Sequence, residues 1–161
     1  RKVMYKIGDR VFYPLHGAGI IEAIEEKEIL GEKHKYYIFR IVVGDINIMI
    51  PIDNIDKLGI RDIISEYEFE AVIKVLSDNP TDMEKKWSKR YRENEAKIKS
   101  GNMLEIAEVV RNLTSLDRIK KLSPGESKIL QTAKTILMSE IMLVKWIKME
   151  EAEKVIEQSV K

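Results

Sequence analysis

Apolar and polar positions alternate in short runs through the first third of the chain, and then the period changes. From Tyr5 to about Leu58, Ile, Val, Tyr and Phe recur with Gly and Pro as punctuation. "RVFYPLHGAGIIEAIEEKEI" reads as a short strand, a turn around Pro14–Gly19 and a long strand. "KYYIFRIVV" follows a turn near Gly31, and Gly44–Asp45 separates it from "INIMIP" as a tight hairpin would. Four or five short antiparallel strands in about 55 residues point to a small barrel.

After Ile60 the spacing becomes helical. Ser65 with Glu68 makes a capping box before "YEFEAVIKVL". Thr81 with Glu84 makes another, and Pro80 stops the preceding helix. Asn102 with Glu105 opens "MLEIAEVVRNL", while Ser123, Pro124 and Glu126 supply an N-cap, an N1 proline and an N3 glutamate. Breaks fall at Ser100–Gly101 and Leu122–Ser123, and a last amphipathic piece runs from about Met149 to Val160. The expected class is α+β. A small antiparallel β-barrel occupies residues 1–60, and a compact all-α domain of about five helices occupies 61–161. The junction lies near "KLGIRD".

Composition removes several classes of chemistry. The chain has 161 residues and no cysteine, which excludes disulfides, thiolate nucleophiles and zinc–thiolate sites and fits a reducing, cytoplasmic setting. "RKVMYKIGDRV" has no apolar segment behind its charges, so no secretory signal is expected. "TILMSEIMLVKWI" is interrupted by Glu140 and Lys145 and falls short of the roughly 20 apolar residues of a membrane span. It is expected to be a buried helix, and no membrane partner is expected. His16 and His34 lack ligand-like spacing, and "HGAG" reads as a turn needing positive φ. With no phosphate-binding loop or dinucleotide fingerprint, the expectation is no catalytic residue, no cofactor and no metal. Helix acids alternating with lysine read as solvated faces. The glycosylation triplet Asn112–Thr114 reads as chance.

Two surfaces remain. "INIMI" (Ile46, Asn47, Ile48, Met49, Ile50) is short, apolar on both faces and nearly uncharged. As an edge strand it could pair with another protein's strand. From pattern alone a central strand, buried on one face, is favoured. The second surface is "DMEKKWSKRYREN". On a helix of 3.6 residues per turn, Met83, Trp87, Tyr91 and Ile98 fall within about 80° of one another, a core stripe that would bury Trp87. Yet Glu84–Arg92 carries five basic residues against one acid, a local +4 on a chain whose net charge is +1. Lys86 and Arg90, at i,i+4, weaken a helix by a few tenths of a kcal/mol unless an anion relieves them. An aromatic ring among such cations can stack on a base or wedge into a base step. Arg118, Lys120 and Lys121 form a second basic cluster whose position the sequence leaves open.

The stretch "YKIGDRVFYPLHGAGIIEAIEEKEILGEKHKYYIFRI" closely resembles the opening of the CarD (CdnL) family of bacterial transcription regulators. The same module occurs as the polymerase-interacting domain of the transcription-repair coupling factor. The resemblance continues through "IMIPIDNIDKLGIRDII", "WSKRYREN", "SGNMLEIAEVVRNL" and "LSPGESKILQTAKTILMSEI", covering Met4 to about Leu143. Met4 matches the family's usual start, so residues 1–3 read as an upstream extension or a cloning remnant. The resemblance implies a Tudor-like barrel that binds the β subunit of bacterial RNA polymerase through Ile46–Pro51, with Lys27 nearby. It implies a helical domain that meets promoter DNA at the upstream edge of the transcription bubble. There Trp87 enters the minor groove, flanked by Lys89, Arg90 and Arg92, with Lys85 and Lys86 added, and slows bubble collapse. Where some members carry two barrel arginines, this chain has Lys27, which keeps the charge without the bidentate fork, and Met49, which loses it. The implied protein is a non-catalytic monomer that joins the nucleoid through RNA polymerase. The rival reading is a protein-bridging helical module with Trp87 in its core.

Overall fold

Residues 4–161 are described by a computed structural model, and residues 1–3, where an upstream extension or cloning remnant was expected, lie outside the described residues. Strands β1 (Arg10–Tyr13), β2 (Gly17–Ile29), β3 (Glu32–Ile41) and β4 (Ile46–Pro51) pair antiparallel in chain order. The short β5 (Arg61–Asp62) returns to β1, giving the order β4-β3-β2-β1-β5. The hairpins turn where predicted. Leu30 and Gly31 both take positive φ (52° and 80°) between the paired Ile29 and Glu32, as a two-residue primed turn requires. Gly44 and Asp45 do the same (91° and 51°), although the strand before them ends at Ile41 rather than Val43.

Among the described residues five helices follow: α1 (Glu66–Ser77), α2 (Trp87–Lys99), α3 (Met103–Ile119), α4 (Pro124–Lys145) and α5 (Met149–Ser159). Ser65 and Glu68 complete the capping box, Asn102 accepts from the N–H groups of Leu104 and Glu105, and Ser123 accepts from that of Glu126. One predicted start is wrong. Thr81 caps no helix. Its N–H donates to Asn112 Oδ1 (3.1 Å), and its Oγ1 accepts from Asn112 Nδ2 (3.0 Å) and the Arg111 guanidinium (3.2 Å). Arg111 and Asn112 are buried polar groups on α3, and leaving them unpaired would cost more than a surface cap returns. The chain therefore stays non-helical until Trp87.

The pleat of β1 serves two cores. Val11 points into the barrel cluster with Tyr5, Ile21, Tyr37, Phe39, Ile50 and Ile55. Its neighbour Phe12 points the other way, into the helical cluster with Val72, Ile106, Leu137 and Ile141. The result is the expected α+β class: a small Tudor-like antiparallel barrel followed by an all-α bundle, with β1 and the start of β2 covered on both faces.

Polar groups reinforce this junction. Glu140, fully buried on α4, accepts from Arg61 Nη1 (2.8 Å), Arg61 Nη2 (3.0 Å) and the Ile64 N–H (2.6 Å). Arg61 also donates to the Gly101 carbonyl (3.0 Å) and lies 4.1 Å from the Phe12 ring centre. Ser139 accepts from the Ala18 N–H (2.8 Å). Gly17, at φ 106°, turns the chain there, and a Cβ on it would sit 2.8 Å from Ser139 Oγ. Helix acids in general are expected on solvated faces, but Glu126 and Glu140 are buried, because each meets an arginine from another element.

Candidate functional site

Trp87 is the first residue of α2 and is 49% exposed, which rules out the reading that puts it in the core. Its ring stacks on Tyr91 (centroids 5.5 Å apart, planes at 28°), and its Nε1–H donates to Ser123 Oγ (3.1 Å). Tyr91 leans on the first turn of α4, where a Cβ on Gly125 would touch it at 3.4 Å. Two elements, α2 itself and the start of α4, thus fix the indole: one face backed, its donor satisfied, and the rest in solvent. Met83, the first member of the sequence stripe, lies ahead of the helix, but Tyr91 and Ile98 do anchor α2 to the bundle.

The surrounding cations divide into two kinds. Lys85, Lys86 and Arg92 are exposed and have no ion-pair partner among the described residues. Lys89 is exposed and bridges to Glu84 (2.6 Å), whose hydrogen bond holds its pKa above the usual lysine value. Arg90 is different. Its Nε and Nη2 grip Glu126 (2.7 and 2.8 Å), and its Nη1 donates to the carbonyls of Glu84 and Lys85 (3.2 and 3.3 Å). The Glu126 carboxylate raises the Arg90 pKa. The pair ties the lead-in segment to α4.

The start of α2 is electrostatically inverted. Ordinary helices favour acids in the first turn, because the free N–H groups carry partial positive charge. Here the first turn has no acid, and Lys86, at the N-cap, makes no side-chain cap bond. Unsatisfied N–H groups beside free ammonium groups suit an anion such as phosphate.

The second candidate surface is β4 (Ile46–Pro51). Among the described residues it pairs only with β3 and is a sheet edge, so the central-strand expectation is overturned. Ile46, Asn47 and Met49 are exposed, Ile48 and Pro51 are half-buried, and Ile50 anchors the strand in the barrel core. Alternation explains the split, since only one face of an edge strand meets the core. Lys27 does not join this row. It lies on β2, one strand beyond β3 and opposite His34, past the end of the β4 pairing, and is engaged by Glu25 (3.3 Å).

Comparison with known proteins gives this layout its context. Residues 5–64 match the CarD-like/TRCF RID domain, and residues 71–157 match the CarD C-terminal domain. The chain belongs to the CarD family. It is 40% identical over 144 residues to YdeB of Bacillus subtilis, a candidate transcription factor, covering 89% of this chain and 94% of that protein. The solution NMR structure of the N-terminal domain of Myxococcus xanthus CarD is 29% identical, covering 38% of this chain and 83% of that one, with a TM-score of 0.32. CdnLNt of Myxococcus xanthus is 38% identical, covering 41% and 93%, with a TM-score of 0.35. The CarD family is one of transcription regulators, and its first domain is of the RNA polymerase-interacting kind.

Within this CarD chain, sequence reasoning missed Ser123 and Glu126 as parts of the Trp87 site. Both were read as helix-start residues, and both are, but each also serves α2. Ser123 Oγ receives the indole, and the Glu126 carboxylate takes Arg90 instead of the N-cap N–H. Among the described residues no group of three or more His, Cys, Asp or Glu could hold a metal, and no helix is long and apolar enough to cross a membrane.

Proposed function

We propose that this CarD-family chain docks on the β subunit of bacterial RNA polymerase through the β4 edge and stabilises the open promoter complex through Trp87 at the upstream edge of the bubble. It works there as a monomer without catalysis, brought to the nucleoid by polymerase. The observation that carries the reading is the half-exposed indole, backed by Tyr91 and held by Ser123 among unpaired cations. A ring kept in water at the cost of its burial energy needs a partner with a flat apolar face, and bases opened at a bubble edge offer one. Lys85, Lys86, Lys89 and Arg92 contact phosphates in this reading. Arg90, committed to Glu126, orients the segment instead. On the polymerase side, Ile46–Pro51 adds a strand to the partner's sheet, with Met49 and Asn47 as side-chain contacts. Lys27 is an outlying contact at most.

The energetics need only a small bias. A ligand shifts an equilibrium by its differential affinity for the two states. A contact worth about 1.4 kcal/mol more in the open than in the closed complex changes their ratio tenfold. Polymerase raises the effective concentration of this weak contact, so no large net charge is required. The test is the lifetime of open complexes on a linear promoter after competitor challenge. Wild-type chain lengthens it, and Trp87→Ala loses most of that gain while folding normally. An unchanged lifetime with Trp87→Ala removes the wedge from the mechanism.

A further inference from the structure

The loop between α3 and α4 runs beside the indole, and its charges are unaccounted for. Ser123, which accepts the Trp87 Nε1–H at 3.1 Å, is two residues from Lys121, a backbone span of about 7 Å. Lys120 and Lys121 are exposed, and neither has an ion-pair partner among the described residues. Ile119, the last residue of α3, is 83% exposed. The loop is nevertheless well held. Leu122 is buried, and its N–H donates to Asp117 Oδ1 (3.1 Å), which commits the nearest acid to the backbone. Arg118 is occupied by the Lys161 carbonyl.

A cation at a helix C-terminus is favoured by the helix dipole, which accounts for Arg118 and in part for Lys120. It accounts neither for Lys121, beyond the helix, nor for an isoleucine left in water beside two free ammonium groups. We propose that Lys120 and Lys121 form a second contact with the DNA backbone, on the side of Trp87 away from Lys85 and Lys86. This rests on the promoter-DNA reading above and extends it. Two chain segments, the lead-in to α2 and the α3–α4 loop, then bracket one ring. The minor groove is about 6 Å wide, so a ring inserted there has a phosphate strand on either side. One pair of lysines serves each strand, and Ile119 adds apolar surface against the sugars. Bracketing resists rotation of the ring out of the groove, which cations on one side alone would not.

The absence of cysteine permits a direct test, because each single-cysteine variant carries one thiol. Lys85→Cys, Lys121→Cys and, as a distant reference on β3, Lys33→Cys are labelled with a photo-crosslinker and assembled with polymerase on a linear promoter. Crosslinks to promoter DNA are expected from positions 85 and 121, at neighbouring nucleotides, and none from 33. Crosslinking from 85 without 121 overturns this proposal and leaves the wedge reading standing. Crosslinking from neither removes both. In a second measurement, Lys120→Ala/Lys121→Ala lowers the salt dependence of the chain's effect on open-complex lifetime by a logarithmic slope of about 2, roughly 0.9 for each lost phosphate contact. An unchanged slope overturns the proposal.

Discussion

At the scale of single residues, the site depends on side chains whose work is to hold others. Arg90 is such a residue, with 16% of its side chain exposed, against 3% for Glu126. Removing one partner of a buried ion pair leaves an uncompensated charge, a loss of about 3–5 kcal/mol. Arg90→Ala is therefore expected to lower the urea midpoint strongly, whereas Lys85→Ala changes stability by no more than about 0.5 kcal/mol. Tyr5 gives a pH signature. Its N–H donates to the Tyr37 hydroxyl (2.8 Å), and burial, followed by the nearby Asp62 charge, pushes its pKa up to about 12 from 10. Its neutral form is the one the fold favours. As pH rises above 10 the unfolded chain ionises first, so stability falls from pH 10 to about 12. Thermal melts across that range will show the decline, and Tyr5→Phe will flatten it.

At the scale of elements, α2 illustrates stability given up for contact. Its N-cap Lys86 has extended backbone angles (φ −71°, ψ 120°) that suit a capping side chain, yet it supplies none. Lys86→Asp adds a cap and a favourable charge at the positive end of the helix. It should raise stability by about 1 kcal/mol in chemical denaturation. The same change puts a carboxylate where phosphate is proposed to sit, so open-complex lifetime should fall while the melting temperature rises. A variant that improved both would mean that this helix start faces no anion. β4 carries the corresponding compromise on the barrel, an unpaired edge with three exposed positions.

At the scale of the whole molecule, the sheet joins the barrel core to the bundle core. Phe12 and Ala18 from the sheet belong to the helical cluster, and the pair between Arg61 and Glu140 closes over them. This fixes the distance and angle between the β4 edge and Trp87, so anchoring one end positions the other. Calorimetry should show a single transition. Glu140→Ala leaves Arg61 without its counter-charge and the Ile64 N–H without its acceptor, a loss of about 3–5 kcal/mol. It should also split the transition, with barrel and bundle melting separately. A single transition at an unchanged temperature would mean that the junction holds through apolar packing alone.

The parts of this fold that were legible in advance are local. Positive φ at Leu30–Gly31 and Gly44–Asp45, and caps at Ser65, Asn102 and Ser123, involve groups within about four residues of each other, so neighbouring letters suffice to see them. The candidate Trp87 was visible too, as an aromatic among cations. Its exposure was not legible in the periodicity, because the same letters fit a core stripe, and only the family resemblance implied it. That stripe failed where Asn112, 31 residues away, took Thr81 from its helix cap. The partner of Arg90 is Glu126, 36 residues on, and that of Glu140 is Arg61, 79 residues away, and neither pairing is written in the neighbouring letters. The common reason is physical. A polar group at the surface pairs with whatever is near in sequence or with water. A buried one must find a partner in space, and the fold as a whole sets which partner is there.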